Sequence, residues 1–173
     1  MGNKLALSTV AATAWLCLFS VAWSADKATE KFLKEAIEGN LAEVQMGELA
    51  QQQGESEAVR SFGKQLATDH GNANQNATAI AAEVGVTPPN EPSKKHKSLH
   101  NRLSKLSGAA FDRQFAKEMV DDHKKDIRAF EKAAKMPTAS VAKFANDTLP
   151  VLRKHLEAAE ALQRESKQAP RAR

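Results

Sequence analysis

ESEAVRSFGKQLATDHGNANQNATAIAAEV, residues 55–84, is the stretch whose reading decides the fold. Val59, Phe62, Leu66, Ala73, Ala77, Ile80 and Val84 recur at the spacing of one helix face. At about 100° per residue, His70 falls in the middle of that apolar stripe, not at its edge. The segment therefore reads as a long amphipathic helix with an ionisable group in its buried seam. Gly85 stops the helix, and Pro88, Pro89 and Pro92 keep it from resuming.

Three further stretches have the same character. Residues 26–53 carry Leu33, Ile37, Leu41 and Val44 at helical spacing, with Phe32 and Ala36 beside them. Asp26 is placed to cap this stretch, Asn40 and Gly47 fall near the middle of its stripe, and Glu43 lies on its flank. Residues 109–135 carry Phe111, Phe115, Met119, Ile127, Phe130 and Ala134, with His123 one turn beyond Met119. Residues 138–167 carry Val141, Phe144, Ala145, Leu152, Leu156, Ala159 and Leu162, with His155 inside the stripe. Pro150 sits within this last helix, removes one hydrogen bond and is expected to bend it. There is no strand-like alternation, and two of the joints are short. The expected fold is all-α: a ferritin-like four-helix bundle of two helical hairpins joined by a longer connection.

That connection is SKKHKSLHNRLSKLSG, residues 93–108. Leu99, Leu103 and Leu106 can hold a short helix against the bundle. Lys94, Lys95, Lys97, Arg102 and Lys105 make it a basic surface patch without an acid among them. His96 and His100 are four apart, a spacing that suits a surface metal clip, but the segment reads first as a solvated helix face.

The chain begins differently. Lys4 precedes the apolar run LALSTVAATAWLCLFSVAW, and Ala22 and Ser24 occupy the small-residue positions before Ala25. Residues 1–24 thus have the layout of a secretory signal peptide, with an uncleaved anchor as the competing reading. Cys17 follows Trp15 and Leu16, which does not suit a lipoprotein site. Cleavage removes the only Cys and both Trp, and the chain has no Tyr. The expected domains are then the leader at 1–24, a bundle at 25–167 and a disordered tail at 168–173. Thiol chemistry and tyrosyl or tryptophanyl radical chemistry are excluded. The net charge of +4 is mild and dispersed, and nucleic acid is not an expected partner.

With the four long stretches antiparallel, Glu43, His70, His123 and His155 each lie about fifteen residues into a helix, and meet in one layer. Two arrangements satisfy three imidazoles there. One is a single transition-metal ion (zinc, copper or iron) held by the histidines and Glu43, with Met119 as a soft neighbour. The other is a closed polar network in which Asp69, Asp122, Asp126, Asn40 and Asn72 orient the rings. Asp69 and Asp122 each precede a histidine and so point about 100° away from it. That suits Asp69, Asp122 and Asp126 to holding the imidazoles from behind, not to binding the same ion.

EGNLAEVQMGELA, VRSFGKQLATDH, KLSGAAFDRQFAKEMVDDH and FANDTLPVLRKHLEAAEAL together resemble the domain-of-unknown-function 4142 family over residues 29–162. The resemblance implies an exported bacterial protein with a ferritin-like fold, sometimes associated with the outer membrane, and no settled activity. The positions matching its recurrent polar and structural residues are Glu43, Asp69, His70, Phe111, Asp112, His123, Pro150 and His155.

A di-iron carboxylate centre of the ferritin type needs a Glu three residues before a His on two helices. Ala67, Val120 and Leu152 stand three before the histidines here, so that centre is not expected. Serine-nucleophile, cysteine and phosphate-loop motifs are also missing, and no enzymatic turnover is expected. Two functions remain. The first is an exported or periplasmic bundle that binds a metal or small ligand for storage, buffering or sensing. The second is a structural or stress-related envelope protein whose basic linker contacts anionic envelope polymers or lipid headgroups.

Overall fold

The structure, a computed structural model, describes residues 25–168, and no strand occurs among them. Its five helices are α1 (Lys27–Gln53), α2 (Glu57–Glu83), α3 (Lys94–Leu103), α4 (Gly108–Ala133) and α5 (Ala139–Gln168). The expected signal peptide and residues 169–173 lie outside the described residues. Gln168, expected to begin a loose tail, instead closes α5.

The helix ends follow local chemistry. The Asp26 carboxylate accepts from the backbone N–H groups of Ala28 and Thr29, both at 2.8 Å. Ser56 and Ser93 cap α2 and α3 in the same way, accepting from Val59 and His96. Beyond α2 the chain turns at Gly85, where φ is 75°, and the Val86 N–H returns to the Ala81 carbonyl at 2.7 Å. Pro150 does not end α5, which runs unbroken through it. Thr148 Oγ1 and Asn146 Nδ2 donate to the carbonyls of Phe144 and Ala142 just upstream.

The short joints make α1 and α2 one antiparallel hairpin and α4 and α5 the other. The hairpins meet with α2 against α5 and α1 against α4, and α3 lies across α1 and α4. Leu103 anchors α3, with Leu99 and Leu106 partly buried beside it, as their spacing predicts. Two apolar clusters fill the bundle. One centres on Phe32, Phe130 and Phe144 and the other on Leu66, Phe111 and Phe115. On α2, α4 and α5 the sequence passes from one cluster to the other through His70, His123 and His155.

Two contacts fix the register of these hairpins. Gly47 and Gly63 face each other where α1 and α2 cross, and each α-carbon abuts the other helix's backbone. A Cβ on Gly47 would meet the carbonyl of Gly63, and would lie 2.8 Å from the Ala67 nitrogen. The buried Asp112 carboxylate, at the start of α4, accepts from the backbone N–H groups of Glu55 and Ser56, each at 2.9 Å. It ties the loop of the first hairpin to the first turn of the second.

Gly47→Ala is expected to cost about 1–3 kcal/mol of folding stability, because backbone cannot yield as a side chain does. Gly39→Ala, in the same helix with nothing within 4 Å of the added carbon, is expected to gain about 0.5–1 kcal/mol. Urea unfolding of the two variants measures both.

Candidate metal centre

Three helices each bring one imidazole to the middle of the bundle: His70 from α2, His123 from α4 and His155 from α5. The rings are 4%, 1% and 0% exposed. Their centroids form a nearly regular triangle, with sides of 5.7 Å (His70 to His123), 5.3 Å (His70 to His155) and 5.4 Å (His123 to His155). Each offers one nitrogen, and the three lie within 4.8 Å of one another. Phe62 closes one side, edge-on to His155 at 5.9 Å.

The partners of the remaining nitrogens fix the tautomers. His70 Nδ1 is 2.9 Å from Asn40 Oδ1, His123 Nδ1 is 2.9 Å from the Met119 carbonyl, and His155 Nε2 is 2.9 Å from Asp69 Oδ2. All three oxygens are acceptors, so each of these nitrogens carries the hydrogen and donates it. The lone pairs then sit on His70 Nε2, His123 Nε2 and His155 Nδ1. None of these three buried atoms has a hydrogen-bond partner among the described residues. A closed polar network needs a donor for each lone pair, and here three acceptors meet with none between them.

Protons are poorly suited to fill the gap. Burial pushes His70 well below the usual imidazole range, and positive charge on His123 or His155 would push it further. Burial and His155 bring His123 down to about 4, against the opposing pull of the Met119 carbonyl and Asp122. Burial also lowers His155, although Asp69 resists. All three rings are therefore neutral at pH 7, the state in which imidazole binds a metal.

Glu43 does not join this set. Its side chain is 2% exposed, yet its carboxyl meets Asp122, with Asp126 close by. It is the Asn40 side chain, one turn earlier on α1, that reaches the histidines. Burial is the first cause that pushes the Glu43 carboxyl well above its ordinary range, followed by the negative charge of Asp122 and Asp126. The same combination takes Asp126 up to about 7, opposed by Lys125 and Lys95. Asp122 and Asp126, expected behind the imidazoles, thus gather around Glu43 at the seam of α1, α3 and α4. Each keeps a carboxylate oxygen 3.9 Å from Lys125 Nζ.

Of the three expected orienting acids, Asp69 alone accepts a hydrogen bond from a ring. Met119 contributes its backbone carbonyl, and its side chain packs in the apolar cluster with Leu66 and Phe115. That carbonyl is invisible to residue-type reasoning, although its position four before His123 on one helix is a usable signal. His96, read as solvated, is half-buried and faces Asp122; its Nδ1 has no partner among the described residues. Lys94, Lys95, Arg102 and Lys105 are exposed, while Lys97 is 2.6 Å from Glu91.

The family model described as "Domain of unknown function (DUF4142)" matches residues 20–162. No curated protein matches the chain. Among solved structures, a DUF305 fragment from Deinococcus radiodurans is similar at 15% identity, with a TM-score of 0.72. The match covers 82% of this chain and 99% of that one, and it supports the helical fold alone.

The Glu43 carboxyl holds its proton in the folded chain at pH values where the unfolded chain has released it. Its folded pKa is raised, so its effect favours folding less as pH rises above the ordinary Glu range. Glu43→Gln, which mimics the protonated acid, is expected to leave Tm unchanged near pH 4. Near pH 8 it is expected to raise Tm by about 3–6 °C. Thermal unfolding of both proteins across that range measures the difference.

Proposed function

The chain belongs to this DUF4142 family of unknown function, and we propose that it binds one transition-metal ion between His70, His123 and His155, without catalytic turnover. The observation that carries this reading is the convergence of three neutral imidazole nitrogens, each unpartnered, whose opposite nitrogens are all tied to an oxygen. Metal-ligating histidines characteristically donate their other N–H to a carboxylate, carbonyl or amide oxygen, which fixes the ring and raises its basicity. Asn40, the Met119 carbonyl and Asp69 supply one such acceptor each.

Zinc, copper and iron all accept imidazole. A metal–nitrogen bond of about 2.0–2.1 Å needs the three nitrogens roughly 3.4 Å apart, so loading draws the rings together. The donor set has no carboxylate in it, which sets it apart from a di-iron oxidase within a ferritin-like bundle. The role that follows is storage, buffering or sensing of the ion.

Export, which the apolar leader and the small residues Ala22 and Ser24 support, would set this role in the cell envelope. No helix among the described residues is long and apolar enough to cross a membrane. The exposed side chains of Lys94, Lys95, Arg102 and Lys105 offer a surface for an anionic envelope polymer or lipid headgroups.

Titration of the untagged protein with zinc, cuprous and ferrous ions is expected to find about one equivalent bound tightly by at least one of them. His123→Ala should abolish that binding while far-ultraviolet circular dichroism stays helical. Asn40→Ala and Asp69→Ala, which remove acceptors behind the rings, should weaken binding by about 10–100-fold. Wild-type protein that takes up none of the three ions would overturn the reading.

A further inference from the structure

An ion bound among the three histidines has to reach a layer that is almost wholly enclosed. Of the groups that hold the outer ring nitrogens, Asn40 is 5% exposed and the Met119 carbonyl belongs to a buried residue. Asp69 differs, with a side chain 33% exposed. Its Oδ2 accepts from His155 at 2.9 Å, which leaves Oδ1 for another partner. It also lines a cavity of about 600 Å³ between α2 and α5. Asn72 and Asn76 continue the same face of α2 at three and seven residues from Asp69, and Asp147 and Thr148 face them from α5. Oxygen-bearing side chains therefore line the groove together with Asp69, the one partly exposed acceptor of the three that hold the histidines.

We propose that this groove is a weak, oxygen-lined capture site for a hydrated metal cation, and that Asp69 passes the cation to the histidines. The proposal rests on the metal reading above. Carboxylate and carboxamide oxygens hold a hydrated cation loosely, whereas imidazole nitrogens hold a transition metal more firmly, so transfer runs downhill toward the interior. The exchange replaces water and oxygen ligands by nitrogen and involves no redox step. His155 stands between groove and layer: its Nε2–H meets Asp69 on one side and its Nδ1 faces the other rings on the other. It is the ring that must turn for the ion to pass. Lys143 is the groove's competitor, because its ammonium lies 2.6 Å from Asp147.

The test measures the rate at which the full-length protein takes zinc from a chromophoric chelator, and the rate at which it gives zinc back. Ala79 is exposed, lines the groove and stands clear of the histidines. Ala79→Trp fills the channel and is expected to slow uptake and release alike by about tenfold, with the zinc Kd unchanged. Lys143→Ala removes the competing ammonium and is expected to speed uptake several-fold at low salt, a gain that shrinks as ionic strength rises. Uptake by Ala79→Trp at the wild-type rate, with zinc still bound, overturns the route and leaves the histidine site standing. Failure of the wild type to bind zinc, cuprous or ferrous ion overturns the site itself, and the route with it.

Discussion

Three imidazoles in a dry layer are the constraint around which this bundle is arranged. A buried imidazole has one nitrogen that must give a hydrogen and one that must find something for its lone pair. The chain meets the first demand at every ring, with a carboxamide from α1, a backbone carbonyl within α4 and a carboxylate from α2. Those three partners hold the rings in orientation and leave the second demand pointed at a single spot. The two aromatic-rich clusters on either side keep water away and make a charged ring unfavourable.

The polar layer is not confined to the histidines. On the α1/α4 side, under α3, Glu43 meets Asp122 and Asp126. On the α2/α5 side, Asp69 opens to a groove. The two faces thus carry acid of different kinds. One is enclosed and crowded, and its Glu43 holds a proton; the other is partly exposed and accepts from a histidine. Lys95 and Lys125 temper the crowded side, so part of the basic linker's charge is spent within the molecule.

Much of the helical arrangement was legible in the sequence, because a 3.6-residue stripe with Gly and Pro at its ends leaves few alternatives. The stripes around His70, His123 and His155 located α2, α4 and α5, and Asp26, Gly85 and Pro92 marked boundaries to within a few residues. The meeting of the histidines was legible too, since each lies at a similar depth. What depth could not resolve was rotation about α1. Asn40 and Glu43 lie three residues apart on neighbouring parts of one face, and a modest turn of the helix exchanges them. Packing settles that turn, because Gly47 must lie flat against Gly63. The role of Asp112 was also hidden, since it bonds backbone N–H groups more than fifty residues away.

The histidines are shared unequally between the hairpins, one on the first and two on the second. An ion bound to all three is therefore a cross-link between two pieces of chain that otherwise adhere by apolar packing, the Asp112 clasp and side-chain hydrogen bonds such as that of His155 to Asp69. Cysteine is absent from residues 25–168, so the coordinate bonds would take the part that a disulfide plays in many small domains. Unlike a disulfide, this cross-link is reversible and its strength follows the free ion concentration. The cohesion of the two hairpins would then report how much metal surrounds the protein.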